Sequence, residues 1–279
     1  MKQDLPIKAV AVIMSVYRND TADKFVRAFR SILDQNMSDS TAINMYLGID
    51  GPISRELQQA IDSVASEIKL LAPFKHNRGV APVVNDIIPQ LGDEQFVFRM
   101  DADDEAYPDR FQRQLDYLMT NSDVDVLGTA LMERRADGPP RIVRFPENHD
   151  EAVWNLYWRV AIANPTVCFR RKVLDETGGY PVENLSEDLA MWFKCAGLGY
   201  RFANLQEPLL YFTIDDNFWA RRSVKRAWRE YLVWSKGIWN LHGPSWRLAV
   251  PLVRLAFRIS PQFLRRIAYG SALRRTESL

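Results

Sequence analysis

Short apolar runs rich in β-branched residues, each stopping abruptly at a polar side chain and separated by stretches of helical period, constrain this chain most. Lys8 to Tyr17 ends at Arg18-Asn19-Asp20 and reads as a buried strand opening into a loop. Phe25, Ala28, Phe29, Ile32 and Leu33 follow at helical spacing, which predicts a crossover helix over 21–35. A second strand, Ile43 to Ile49, stops at the turn signal Asp50-Gly51-Pro52. Leu57, Ile61, Val64 and Ile68 then mark another helix, and Gln95 to Met100 is a strand that runs into Asp101-Ala102-Asp103-Asp104. Such alternation predicts an α/β domain, Rossmann-like, with a mostly parallel sheet flanked by helices. Ligands collect at the carboxyl edge of such sheets. Tyr17, Asp50 and Asp101 all fall there.

The net charge of +1 conceals an asymmetry: 218–279 carries 13 Lys/Arg against Glu230 and Glu277, so the rest of the chain is acidic. Near Asp215-Asp216 the character changes, giving an α/β domain over 1–215 and a basic, aromatic-rich helical extension over 216–279. Within that extension Val224 to Leu241 reads as a helix with Ala227, Tyr231, Trp234 and Ile238 in one apolar stripe. Gly243-Pro244 breaks it, and apolar blocks alternate with arginines from Trp246 to Tyr269. The cysteines, Cys168 and Cys195, form no ligand spacing, and Met1-Lys2-Gln3-Asp4 has no leader pattern; a reducing, cytoplasmic setting is expected. No apolar run is long enough for a spanning helix.

In an extended segment residues i and i+2 share a side, so Asp101 and Asp103 converge. Two such carboxylates repel unless a proton or cation is shared, and Mg²⁺ binds one or two carboxylates together with substrate phosphates and water. The competing reading is a solvated acidic loop with Asp104 capping the helix that opens at Tyr107-Pro108-Asp109-Arg110-Phe111. A second pair, Glu187-Asp188, suits the first turn of a helix capped by Ser186 or Asn184. Capping alone explains either acid. His76, His149 and His242 are too scattered to form a ligand set.

Taken in order, nine segments are similar to the family 2 glycosyltransferases of GT-A fold over roughly residues 8–215. They are Met14-Ser-Val-Tyr17, Ser31-Ile-Leu-Asp-Gln35, Asp50-Gly51, Asn77-Arg-Gly79 with Asn85, Asp101-Ala-Asp-Asp104, Pro165-Thr-Val-Cys-Phe-Arg170, Gly178-Gly-Tyr180, Glu187-Asp188 and Glu207-Pro-Leu-Leu-Tyr211. Asp50-Gly51-Pro52 and the basic tail look like the bacterial exopolysaccharide and O-antigen type. The resemblance implies an inverting, metal-dependent hexosyl- or N-acetylhexosaminyltransferase using a UDP-sugar and Mg²⁺ or Mn²⁺. It places Val16 and Tyr17 against the base, Asp50 on base or ribose, and Asn77 and Asn85 in the nucleotide pocket. Asp101 would hold ribose or sugar, Asp103 the metal, and Asp188 would be the general base beside Glu187. Two departures stand out: one carboxylate and one hydroxyl of the family's Asp-Asp-Gly-Ser are missing at Asp50, and Asn164 stands where many relatives have histidine. Asn164 is kept as a donor-pocket residue.

The resemblance further implies a polyprenyl-diphosphate-linked saccharide as acceptor. Cations interleaved with Trp228, Trp234, Trp239 and Trp246 suggest that 216–279 lies on the anionic inner face of the cytoplasmic membrane. Each cation near such a surface contributes about 1 kcal/mol. The alternative is that the aromatic stripe packs on the catalytic domain. Nucleic acid is not expected, because no recognised motif accompanies the charge. Two rivals remain: a degenerate nucleotide-sugar-binding scaffold of a polysaccharide assembly complex, and a sugar nucleotidyltransferase. The latter wants a glycine-rich phosphate loop that Met14 to Asp20 lacks, as does a dinucleotide dehydrogenase.

Overall fold

The computed structural model describes residues 7–38, 40–135, 138–182, 186–214, 224–259 and 276–278. In the first half β1 (Ala9–Tyr17), α1 (Ala22–Leu33), β2 (Ala42–Asp50) and α2 (Arg55–Asp62) follow the periodicity, β3 (Ile68–Phe74) and α3 (Val80–Ile87) come in addition to it, and β4 (Phe96–Asp101) again falls where it predicts a strand. Strand order runs β4-β1-β2-β3, all parallel. The chain therefore leaves β1 in one direction and returns on its other side, which makes the β1–β4 boundary the switch point where a crevice opens.

Beyond β4 the sheet becomes mixed. A two-residue strand, β5 (Glu105–Ala106), precedes α4 (Arg110–Thr120), β6 (Val126–Arg135), β7 (Gly138–Val143), α5 (His149–Asn155), β8 (Cys168–Arg170), α6 (Arg171–Thr177), α7 (Glu187–Gly197) and β9 (Phe202–Ile214). β8 inserts antiparallel between β4 and β6, while β6 and β9 form a long parallel ladder. Alternate residues of β1 divide between two cores. Ala11 and Ile13 pack towards α3, α6 and α7; Val10, Val12, Met14 and Val16 pack towards α1, α2 and α4.

One helix is shorter than its spacing predicts. Ile68 continues the i+4 series from Val64, yet α2 stops at Asp62 and Ile68 opens β3. Pairing with β2 across Met45 to Asp50 is a long-range gain that local periodicity does not report. The extension begins with α8 (Val224–His242) and α9 (Ala249–Ile259), and β10 (Thr276–Ser278) pairs with β7. The boundary at Asp215-Asp216 lies outside the described residues.

In α8 the anticipated stripe turns inward. Ala227, Trp234 and Ile238 are buried, and Trp234 meets Phe193 of α7 edge-on at 5.7 Å. The helices pack so closely that a Cβ on Gly237 would lie 2.2 Å from the Phe193 ring. That stripe therefore docks the extension on the α/β body. Pro251 sits in the first turn of α9, where its missing N–H costs little, so the helix runs on through it. No helix among the described residues is long and apolar enough to cross a membrane.

Candidate functional site

Register alone brings three predicted residues together. Tyr17 is opposite Asp50, and Ser15 is opposite Asp101, so the ends of β1, β2 and β4 meet at one edge. Behind them α1 braces the turn: Ser31 Oγ accepts from the Ala106 N–H, and Gln35 donates to Tyr107 O and accepts from Phe111 N–H.

At Asp50 the carboxylate is occupied locally. Its Oδ1 accepts from the Arg78 N–H at 2.7 Å, and its Oδ2 from the Gly79 N–H and Asn77 Nδ2 at 2.9 Å each. Asp50 and Asn77 thus form the joint that carries the Asn77-Arg78-Gly79 loop at the sheet edge. Gly51 (φ +83°) is required at this joint, because a Cβ there would fall 2.6 Å from the Asn77 nitrogen. Val16 is corrected. Strand alternation sends its side chain wholly into the core, so only its backbone reaches the edge, while Tyr17 stands at the rim.

The acidic turn keeps the predicted alternation: Asp101 and Asp103 are half-buried on one side, Ala102 and Asp104 buried on the other. Two buried arginines that the motif reading omits support it. Arg99 reaches Asp101 Oδ1 with its Nη2 at 2.7 Å, and Arg110 is fully buried between Gln114 Oε1 and Arg99 O. Burial pulls the Arg110 guanidinium down to about 10, which leaves it charged at neutral pH. Asp104 does not cap α4. Its Oδ1 accepts from the Thr213 N–H of β9 at 3.2 Å, and burial, then repulsion from Asp101 and Asp103, raises its pKa well above the carboxylate range. Arg99 could have been noticed as the one charge inside the apolar run Phe96 to Met100.

Asp20 is a third carboxylate facing the turn. Its Oδ2 accepts from the Tyr17 N–H at 2.9 Å. Burial, then repulsion from Asp103 and Asp101 outweighing that hydrogen bond, lifts it to about 7. Because the folded value exceeds the unfolded 3.8, this contribution to stability is complete below about pH 4 and lost as pH rises through 7. Asp20→Asn is accordingly expected to gain stability over the metal-free parent as pH rises from about 4 to 7, read by urea unfolding at both ends. An equal gap at the two pH values would contradict a carboxylate held protonated there.

On the other side of the crevice Tyr180 is the organising residue. Asn85 accepts from the Tyr180 N–H and donates to its carbonyl, each at 2.7 Å, and the Tyr180 hydroxyl donates to Asn164 Oδ1 at 2.7 Å. Asn85 and Asn164 are therefore both drawn to Tyr180, with Asn85 clamping the turn that follows Gly178-Gly179. Burial pushes the phenol far up, with Arg99 opposing and Asp188 and Asp101 adding to the shift, so Tyr180 lies within electrostatic reach of all three.

Glu187 and Asp188 occupy the first turn of α7, as expected. The predicted cap differs: the Ser186 side chain makes no cap bond, and its backbone is left-handed (φ +118°). Instead the Ser186 N–H donates to Glu187 Oε2 at 3.1 Å, and Asp188 Oδ1 accepts from the Leu189 N–H at 2.8 Å. Asn184 lies outside the described residues.

Removing Arg99 tests the frame beneath the turn. Arg99→Met is expected to cost about 1–3 kcal/mol, discounted because Asp101 is partly solvated, in chemical unfolding at neutral pH. A loss below about 0.5 kcal/mol would mean that the pair carries no stability.

No three His, Cys, Asp or Glu side chains among the described residues form a ready metal cage. A cation here would need oxygen ligands from a phosphate and water besides the carboxylates. A cavity of about 440 Å³ opens at the opposite end of β4, around Glu94, Phe96 and Arg171, away from these groups.

Residues 11–179 match the family model described as glycosyl transferase family 2. The chain is 26% identical over 273 residues to an uncharacterized glycosyltransferase of Haemophilus influenzae, covering 95% of this chain and 99% of that one. It is 26% identical over 235 residues to the Escherichia coli UDP-Gal:alpha-D-GlcNAc-diphosphoundecaprenol beta-1,3-galactosyltransferase, covering 84% and 82% of the two chains. Among solved structures it resembles Staphylococcus aureus TarS 1–349 in complex with UDP-GlcNAc, with TM-score 0.65, 18% identity, and coverage of 94% and 73%. The Pyrobaculum calidifontis mannosyltransferase PcManGT with GDP-Man and Mn²⁺ gives TM-score 0.63, 19% identity, and coverage of 94% and 79%. Of the longer TarS chain it spans 43%. The architecture is the GT-A fold.

Proposed function

The chain belongs to glycosyl transferase family 2, and from that premise we propose that it moves a hexosyl or N-acetylhexosaminyl group from a UDP-sugar to a polyprenyl-diphosphate-linked saccharide, inverting the anomeric carbon. The observation that carries this reading is the acidic turn at the β1–β4 switch point, with three mutually repelling carboxylates supported from below by two buried arginines. The E. coli relative, by its name, uses UDP-Gal and a diphosphoundecaprenol-linked sugar, which supports the donor and acceptor classes. The setting in this reading is the cytoplasmic face of the membrane, in the assembly of a bacterial surface polysaccharide.

The donor set fits Mg²⁺ or Mn²⁺: Asp103 would hold the ion, with the donor's diphosphate completing its ligands. Such an ion supplies neutralisation of the charge on the leaving diphosphate. Asp101, held by Arg99, is left to accept hydrogen bonds from ribose or sugar hydroxyls. Asp188 takes the proton of the attacking acceptor hydroxyl, on the face of the sugar opposite the diphosphate. Its place in the first turn of α7 stabilises the carboxylate through the helix dipole. The Asn85–Tyr180–Asn164 network fixes the wall between these two ends.

The test is transfer from a panel of radiolabelled UDP-sugars to a polyprenyl-diphosphate N-acetylhexosamine acceptor, with Mn²⁺ or EDTA, and product configuration by NMR. Cation-dependent transfer with inverted configuration is expected. Donor binding without transfer to any acceptor would favour the degenerate scaffold. A retained configuration would remove Asp188 from its role.

A further inference from the structure

The extension carries a face that nothing in the described structure covers. Along α9 the exposed residues are Ala249, Leu252, Val253, Ala256 and Ile259, which recur at helical spacing and form an uninterrupted apolar stripe. Val253 is 65% exposed, and so is Trp246, which falls in line with the stripe one turn earlier. Two of the extension's cations, Arg254 and Arg247, turn the other way. Arg254 donates to Trp158 O at 2.7 Å and stacks over Trp234 at 4.9 Å, while Arg247 lies over the rings of Trp154, Tyr157 and Trp246 at 4.6, 5.3 and 5.6 Å.

This is the reverse of an ordinary surface helix, whose apolar stripe faces the core. Leu, Val and Ile held in water side by side mark a surface awaiting an apolar medium. Trp154 of α5 is also exposed and shares Arg247 and Tyr157 with Trp246, and the extension exposes two more indoles, Trp228 and Trp239 on α8. Trp concentrates where an apolar phase meets water. The sequence supplies the matching charge, because 218–279 carries 13 Lys/Arg against two acids.

We infer that the outer face of α9, with Trp246 and the neighbouring Trp154, seats the protein on an anionic phospholipid surface. The stripe singled out from sequence is not the one used: Ala227, Trp234 and Ile238 hold α8 to the body, and that packing turns α9 outward. This inference rests on the lipid-linked acceptor reading for its purpose. Its own evidence is independent of catalysis.

The full chain is sedimented with phosphatidylglycerol–phosphatidylcholine vesicles at low salt without donor, beside Leu252→Gln/Val253→Gln. The parent is expected to bind, and the double variant to partition at least about tenfold less, since two exposed aliphatic side chains no longer enter the apolar phase. Its thermal midpoint and its transfer to a short-chain, water-soluble acceptor should match the parent. The inference is overturned if the parent stays in solution, or if the variant binds equally well. It is overturned as well if the variant melts several degrees lower, which would mean the chain itself covers this face. A concentration-dependent dimer that the variant dissociates would identify a second copy as the occupant and also overturn it. Vesicle binding with no transfer by the parent would instead refute the transferase reading and leave the docking face standing.

Discussion

Asp188→Asn is expected to lower sugar transfer about 10²–10⁴-fold while donor affinity stays within about twofold of the parent. The substitution keeps shape and keeps an oxygen to accept the Leu189 N–H, so α7 retains its first turn. Only the ability to take a proton disappears. Single-turnover rates with saturating donor, beside calorimetric titration of UDP, separate the two quantities. A rate within tenfold of the parent would transfer the role of base elsewhere, with Glu187 the first alternative. Each acid accepts one backbone N–H, Glu187 from Ser186 and Asp188 from Leu189, so the two variants' rates decide between them.

Asp103→Asn is expected to reduce kcat/KM about 10³-fold and to abolish the gain in donor affinity on adding Mn²⁺, as removal of several kcal/mol of charge stabilisation requires. The same substitution carries a second, independent signature. Asp103 repels Asp20, so neutralising it is expected to lower the Asp20 pKa from about 7 towards the ordinary carboxylate value. With a smaller upward shift, the loss of stability between about pH 4 and 7 shrinks, and the metal-free variant unfolds at higher urea near neutral pH than the parent. Carboxyl NMR titration reads the shift directly. An unchanged Asp20 titration would mean that the two carboxylates do not face each other. Unchanged Mn²⁺ dependence would move the metal to Asp101 or Asp20.

The two substitutions divide the site into its opposite ends, and what lies between was the least legible from sequence. Tyr17, Asp50, Asp101 and Asp103 were found because each closes or follows an apolar run, and a parallel sheet aligns such ends by register. Arg99, Arg110 and Tyr180 were not weighed as site residues. Their importance comes from burial beside groups far away in sequence, as when Tyr180 joins Asn85 to Asn164 across α3 and the turn before β8. For Asp50 and Asn85 the sequence did not show their partners, since both carboxylate oxygens of Asp50 and the amide of Asn85 bond backbone that only folding brings near.

A similar division holds for the molecule as a whole. By itself the sequence determined the three strands β1, β2 and β4 of the parallel half, the helices α1 and α2, the acidic turn at a strand end and the basic character of the extension. Those are properties of short windows, set by side-chain period and by where an apolar run stops. Tertiary structure decided that Ile68 begins a strand, that Asp104 faces β9, and that the stripe of α8 turns inward while α9 turns out. Each of these depends on a partner surface distant in the chain: β2 for Ile68, Thr213 for Asp104, Phe193 for α8. Burial against such a partner is worth more than local preference, and one sequence window holds only one of the two surfaces.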